Sequence, residues 1–130
     1  MTKEPTLAEE YAAAVFALAR QIPPGRAMSY GLIAEIVAET LHRGGPRQVG
    51  QVMAGMGDRY EHLLSDLPDD AVKIGPAQDN FDVPWWRVVY ANGAPPAQYE
   101  TAARAAWQRE GTPLTKDGQR IDLANAVWFP

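Results

Sequence analysis

The sequence predicts a single, mainly α-helical domain built on two short helices joined by a tight glycine turn, with a small β element. Three observations point there. Apolar residues recur at steps of three and four through the first 56 residues, the spacing of one buried helix face. Proline and glycine clusters cut that stretch into three pieces, each of a length usual for globular helices. One run, Val83 to Tyr90, is rich in the β-branched and aromatic residues that favour strands. With 130 residues, 46% hydrophobic and 22% charged, the chain is long enough to bury a core without disulfides or a structural metal.

The elements follow in order. Thr6 and Glu9 have capping-box spacing, and Leu7, Tyr11, Val15, Leu18 and Ile22 form an apolar stripe behind them. Pro23-Pro24-Gly25 ends this first helix. Ser29 caps a second helix, which buries Leu32, Ile33, Ile36 and Val37 and runs to about Leu41. Gly44-Gly45-Pro46 is a turn whose proline is placed to open a third helix. That helix carries Val49, Val52, Met53 and Met56 on one side and Arg47 in its first turn. Residues 58–82 hold seven acidic and two basic residues without sustained periodicity, and read as a long acidic insertion in the domain. Val83 to Tyr90 reads as extended, with Ala91-Asn92-Gly93 as the turn after it. Ala97 to Glu110 is alanine-rich, helical in pattern and closed by Gly111. Asp117-Gly118 is a hairpin-type turn, and the tail closes on Val127-Trp128-Phe129.

Net charge is −4, from 12 basic and 16 acidic residues. A phosphate-binding surface needs positive charge, so the distribution matters more than the total. Residues 58–82 carry −5, whereas four arginines against Glu35 and Glu39 leave residues 19–57 at +2. Such a balance allows DNA binding with few phosphate contacts and a shallow salt dependence. The chain has no cysteine, which removes disulfides, thiolate metal sites and cysteine nucleophiles. His42 and His62 lie in different segments, too little convergence for a metal site. No Ser–His–Asp set, phosphate loop or dinucleotide fingerprint appears, and no cofactor is expected. Residues 1–11 lack a signal-peptide pattern, and no apolar run approaches a membrane span. The expectation is a cytoplasmic monomer without a membrane partner, nucleoid-associated in a bacterium.

Two short helices with a glycine turn, the second bearing an arginine near its start, suggest a helix-turn-helix, whose second helix faces base edges. Helical hairpins of this kind also occur in bundles that bind nothing, and pattern alone leaves both readings open.

Three blocks in this region resemble the DNA-binding domain of O6-alkylguanine-DNA alkyltransferases. They are Ile22-Pro23-Pro24-Gly25-Arg26, Ser29-Tyr30-Gly31-Leu32-Ile33-Ala34 and Pro46-Arg47-Gln48-Val49-Gly50-Gln51-Val52-Met53. A fourth, Val83-Pro84-Trp85-Trp86-Arg87-Val88-Val89, resembles that family's active-site segment Pro-Cys-His-Arg-Val. The four stand in the family's order. The implied fold is the winged helix-turn-helix-like alkyltransferase DNA-binding domain. Trp85 falls at the acceptor cysteine and Trp86 at the histidine. Alkyl transfer needs an activated thiolate, and an indole cannot replace it. The sequence therefore resembles the alkyltransferase-like branch, which carries tryptophan at the cysteine position, binds alkylated guanine in DNA without repairing it, and is linked to nucleotide excision repair. The implied partners are double-stranded DNA containing alkylated guanine and nucleotide excision repair proteins. An alternative is a helix-turn-helix module that has lost lesion binding and serves a protein partner or general DNA binding.

The resemblance also implies roles for single residues. Tyr30 lies beside the target nucleotide. Arg47 is the arginine finger, whose planar guanidinium fills the gap left by an extruded base. From their place on the helix, independent of the resemblance, Gln48 and Gln51 are candidates to reach phosphates or groove edges, the alternative being two solvated side chains. Trp85, Tyr30, Met56 and Tyr90 line the lesion pocket. Adjacent side chains in an extended segment point to opposite sides, so Trp85 faces the pocket and Trp86 fills the interior space that the histidine left. Arg87 is structural. Glu110 matches a glutamate that braces the family's active site, but without a cysteine–histidine pair it is expected to serve only helix-end structure. Gly50, inside a helix, costs about 1 kcal/mol relative to alanine. Close approach of the DNA backbone or of a neighbouring helix explains it.

Overall fold

The computed structural model describes residues 6–54, 83–96 and 99–130. The acidic insertion expected at 58–82 and the pocket residue Met56 lie outside the described residues. The fold is mainly α with one two-stranded parallel sheet, as the sequence predicts.

Helix α1 (Leu7–Gln21) opens on the capping box: Thr6 Oγ1 accepts the Glu9 N–H at 3.1 Å, and the Glu9 carboxylate accepts the Thr6 N–H. Tyr11, Val15, Leu18 and Ile22 are buried, but Leu7 is 68% exposed. It is the first residue of the helix, one turn beyond Tyr11, where α1 outruns the core. Strand β1 (Met28–Ser29) leads straight into α2 (Tyr30–Leu41), where Ser29 Oγ accepts the Leu32 N–H at 3.1 Å. Of the expected core face, Ile33 and Val37 are buried and Leu32 and Ile36 partly so. His42 ends α2 in the left-handed conformation. Gly44, at φ +90°, passes under the Tyr11 ring so closely that a Cβ would overlap it. Helix α3 (Pro46–Ala54) begins at the proline, and its Val49 and Val52 join the core against α1 and α2.

The second half departs from expectation first in the segment around Trp85. Trp85–Arg87 is a turn of 3-10 helix rather than extended chain, and only Val88–Val89 forms a strand, β2. Tertiary hydrogen bonds hold that turn: the Trp107 indole N–H donates to the Trp86 carbonyl at 2.7 Å, and Arg87 donates to the Ile22 carbonyl at 2.8 Å. β2 pairs with β1 in register Met28↔Val88 and Ser29↔Val89. Helix α4 (Glu100–Glu110) ends at Gly111, φ 72°. The Asp117-Gly118 turn closes as expected, with the Thr115 N–H donating to the Arg120 carbonyl at 2.9 Å and Leu114 bridging Ile121. A short helix α5 (Leu123–Ala126) follows. Val127 then bridges Ala27, and Arg26 donates to the Ala126 and Val127 carbonyls. β1 and α5 have no counterpart in the sequence reading.

Two glycines of the second half differ in a measurable way. Both have positive φ, but a Cβ at Gly93 would overlap the Ile121 carbonyl oxygen, whereas one at Gly118 meets nothing within 4 Å. Gly118→Ala is expected to cost about 1 kcal/mol of backbone strain. Gly93→Ala is expected to cost at least about 2 kcal/mol more, because backbone must move. Urea denaturation of both variants checks this; equal losses would mean that the Gly93 loop adapts freely.

Candidate functional site

Strand register builds the first part of the site. Ser29 and Val89 are partners across β1 and β2, so the residues that follow them, Tyr30 and Tyr90, emerge side by side. Their rings meet edge-on, 4.9 Å between centroids at 85°. Tyr30 is 7% exposed and Tyr90 50%. Tyr90 is thus the ring that offers an open face, and Tyr30 stands behind it. Burial, with the neighbouring Tyr90 phenol adding to it, pushes the Tyr30 hydroxyl pKa up to about 12.

Helix α3 presents the second part. Arg47, Gln48 and Gln51 are all exposed. Arg47 makes no hydrogen bond or ion pair with any described residue. Gln48 has a local duty: its side-chain oxygen accepts the Gly45 N–H at 2.9 Å and caps the helix. Gly50 is resolved by geometry. A Cβ there would meet nothing within 4 Å, so packing against a neighbouring described helix does not account for this glycine.

The 3-10 turn carries the third part. Trp85 is 6% exposed and Trp86 is half-buried. Their rings are perpendicular at 5.8 Å, and Tyr99 lies 5.5 Å from Trp85 on another side. Trp86 does not fill an interior space. Its indole N–H donates to Glu110 Oε1 at 2.7 Å. Arg87 Nε donates to both oxygens of the same carboxylate at 2.8 and 3.0 Å, and its terminal nitrogen pairs with it at 2.6 Å. The Arg87 guanidinium also lies 5.3 Å from the Trp86 ring centre, within cation–π range. Arg87 is therefore structural, as expected. Glu110 is more than a helix end: it braces the whole turn, and the indole at Trp86 supplies a donor for it. Trp85 Nε1 is buried and has no acceptor among the described residues.

The structure thus joins Tyr30 to Tyr90, and Trp85 to Trp86, Arg87 and Glu110. Tyr99 is the aromatic neighbour that sequence reasoning did not single out. Among the described residues no group of three or more His, Asp or Glu converges as a metal site, and no helix is long and apolar enough to cross a membrane.

Comparison with known proteins gives a consistent result. Residues 10–112 match the family described as 6-O-methylguanine DNA methyltransferase, DNA binding domain. No curated protein is significantly similar to the chain. Two solved structures from S. pombe share the fold at 24% identity, each covering 94% of this chain and 97% of the other. One is Atl1 in complex with damaged DNA containing O6-carboxymethylguanine, TM-score 0.59; the other is ATL in complex with DNA, TM-score 0.60. At that identity the likeness establishes the fold.

The Tyr30 hydroxyl generates a pH prediction. A phenol pKa of about 12 against the ordinary 10.0 means that the folded state holds the proton more tightly than the unfolded chain. That contribution is complete below pH 10 and is lost as pH rises through about 12. It amounts to about 2–3 kcal/mol. Urea denaturation across this window is expected to show a steeper stability loss for the wild type than for Tyr30→Phe. Parallel curves would place the phenol in water.

Proposed function

The chain belongs to the 6-O-methylguanine DNA methyltransferase DNA-binding-domain family, and on that premise we propose a non-enzymatic DNA-binding protein that recognises O6-alkylguanine by base flipping and marks it for nucleotide excision repair. The observation that carries this reading is Trp85 at the acceptor position of a chain without cysteine. No thiolate exists to take an alkyl group. An indole there instead offers apolar contact to the alkyl substituent. The S. pombe Atl1 complex with O6-carboxymethylguanine DNA supports the same lesion class.

Each remaining part has a task in this reading. Helix α3 enters the groove, and Arg47, unpaired among the described residues, fills the gap left by the extruded base. Tyr90 offers its open ring to the nucleotide, backed by Tyr30. Glu110, Arg87 and Trp86 fix the turn that bears Trp85. Gly50 lets the DNA backbone approach α3. A second reading draws on the low exposure of Trp85: a helix-turn-helix that binds DNA or a protein without a base pocket.

Titration of matched duplexes with and without O6-methylguanine, at one stated salt concentration, separates the two. The lesion duplex is expected to bind at least about tenfold more tightly. Arg47→Ala is expected to weaken lesion binding about tenfold or more, and Gln51→Ala less than about threefold. Equal weak binding to both duplexes would sink lesion recognition. Gly50→Ala gives opposite signs in two assays. Stability to urea is expected to rise by about 0.5–1 kcal/mol, while DNA affinity falls. A variant that gains stability and keeps its affinity would remove the proposed contact.

A further inference from the structure

We propose that the Trp85 indole N–H reads N1 of the extruded base, and so separates O6-alkylguanine from guanine; this rests on the lesion-binding reading above. Three neighbouring indoles make the case. Trp86 Nε1 donates to Glu110 and Trp107 Nε1 to the Trp86 carbonyl, both at 2.7 Å. Trp85 Nε1 alone of the three is closed off from water without an acceptor among the described residues. A buried unpaired N–H is costly, and native folds rarely keep one without a use. A phenylalanine at this position would avoid the cost and keep an aromatic ring. The donor sits on a residue in contact with the rings of Trp86 and Tyr99. The N–H is closed off in the free protein, so the rings around it must part before a base meets it; an acceptor that arrives then gains a hydrogen bond without displacing a solvent partner.

The choice of N1 follows from purine chemistry. N3, N7 and O6 are acceptors in guanine and in O6-alkylguanine alike. N1 is the position that changes: it carries a proton in guanine and a lone pair once O6 is alkylated. A fixed N–H facing N1 bonds to the lesion and meets a second proton on the normal base, so one contact both attracts the lesion and rejects guanine.

The test pairs Trp85→Phe with a base analogue. Duplexes carry O6-methylguanine, guanine or O6-methyl-1-deazaguanine, in which N1 is replaced by C–H and the alkyl group is kept. Wild type is expected to bind the deaza duplex about tenfold more weakly than O6-methylguanine. Trp85→Phe is expected to bind these two alike and to lose about tenfold on O6-methylguanine alone. Its stability to urea is expected to stay close to that of wild type. If Trp85→Phe does not fold, the two wild-type titrations decide. The deaza base pairs less well with cytosine and is easier to extrude, so extrusion cannot cause weaker binding. Undiminished wild-type affinity for the deaza duplex, or full lesion preference in a folded Trp85→Phe, would overturn the inference and leave lesion recognition standing. Equal wild-type affinity for O6-methylguanine and guanine would instead defeat the lesion-binding reading itself.

Discussion

The ion pair between Arg87 and Glu110 is the constraint on which the rest of the structure depends. It joins three segments far apart in the chain: the end of α1 through the Ile22 carbonyl, the 3-10 turn, and the last turn of α4. Removing two charges from water is expensive, and mutual attraction offsets this only when the other polar atoms are also satisfied. Here Arg87 places Nε and both terminal nitrogens on oxygen, and Glu110 accepts the Trp86 indole as well. A carboxylate at a helix C-terminus is unfavourable by itself, so the pair, not the helix, explains Glu110. Gly25 lets the loop after α1 pass the same point, with a Cβ there only 3.2 Å from the Glu110 carbonyl oxygen.

From this brace the candidate site divides into an inner and an outer layer. Trp85 and Tyr30 are enclosed, and their surroundings are fixed by packing. Arg47, Gln51 and Tyr90 face solvent. The division suits a protein whose net charge of −4 limits general attraction to phosphate. In the proposed reading the outer residues make a weak first contact and the enclosed aromatic layer discriminates. Sites of that design trade affinity for selectivity, since much of their binding energy is gained only once the correct group has entered.

The sequence was most legible where local chemistry sets the backbone. Thr6 with Glu9, Ser29, Pro46, Gly111 and Asp117-Gly118 each mark an element boundary that the structure repeats. It was least legible where distant contacts decide. β1 and β2 have two residues each and pair in parallel, too short for any alternation to register. Trp85–Arg87 has a strand-like composition but is bent into a 3-10 turn by partners on α1 and α4. The bracing role of Glu110 was discounted because the histidine was gone, although an indole N–H can donate to a carboxylate just as well. Tyr99 had no local signal for its place beside Trp85. The family resemblance puts Trp85 and Trp86 at the substituted pair, and the hydrogen bonds show that Trp86 donates to Glu110.

The closure of Arg26 and Ala27 onto Ala126, Val127 and Trp128 bears on how the molecule is made. These contacts span about a hundred residues, and joining such distant segments is slow compared with forming helices. During synthesis α1, α2 and α3 leave the ribosome first and can form on their own local signals. The ledge under β1, which leads into Tyr30, waits for the final residues of the described chain. Helices α1 to α3 therefore take shape before the ledge, and a prematurely released chain would hold the helices without that floor beneath them.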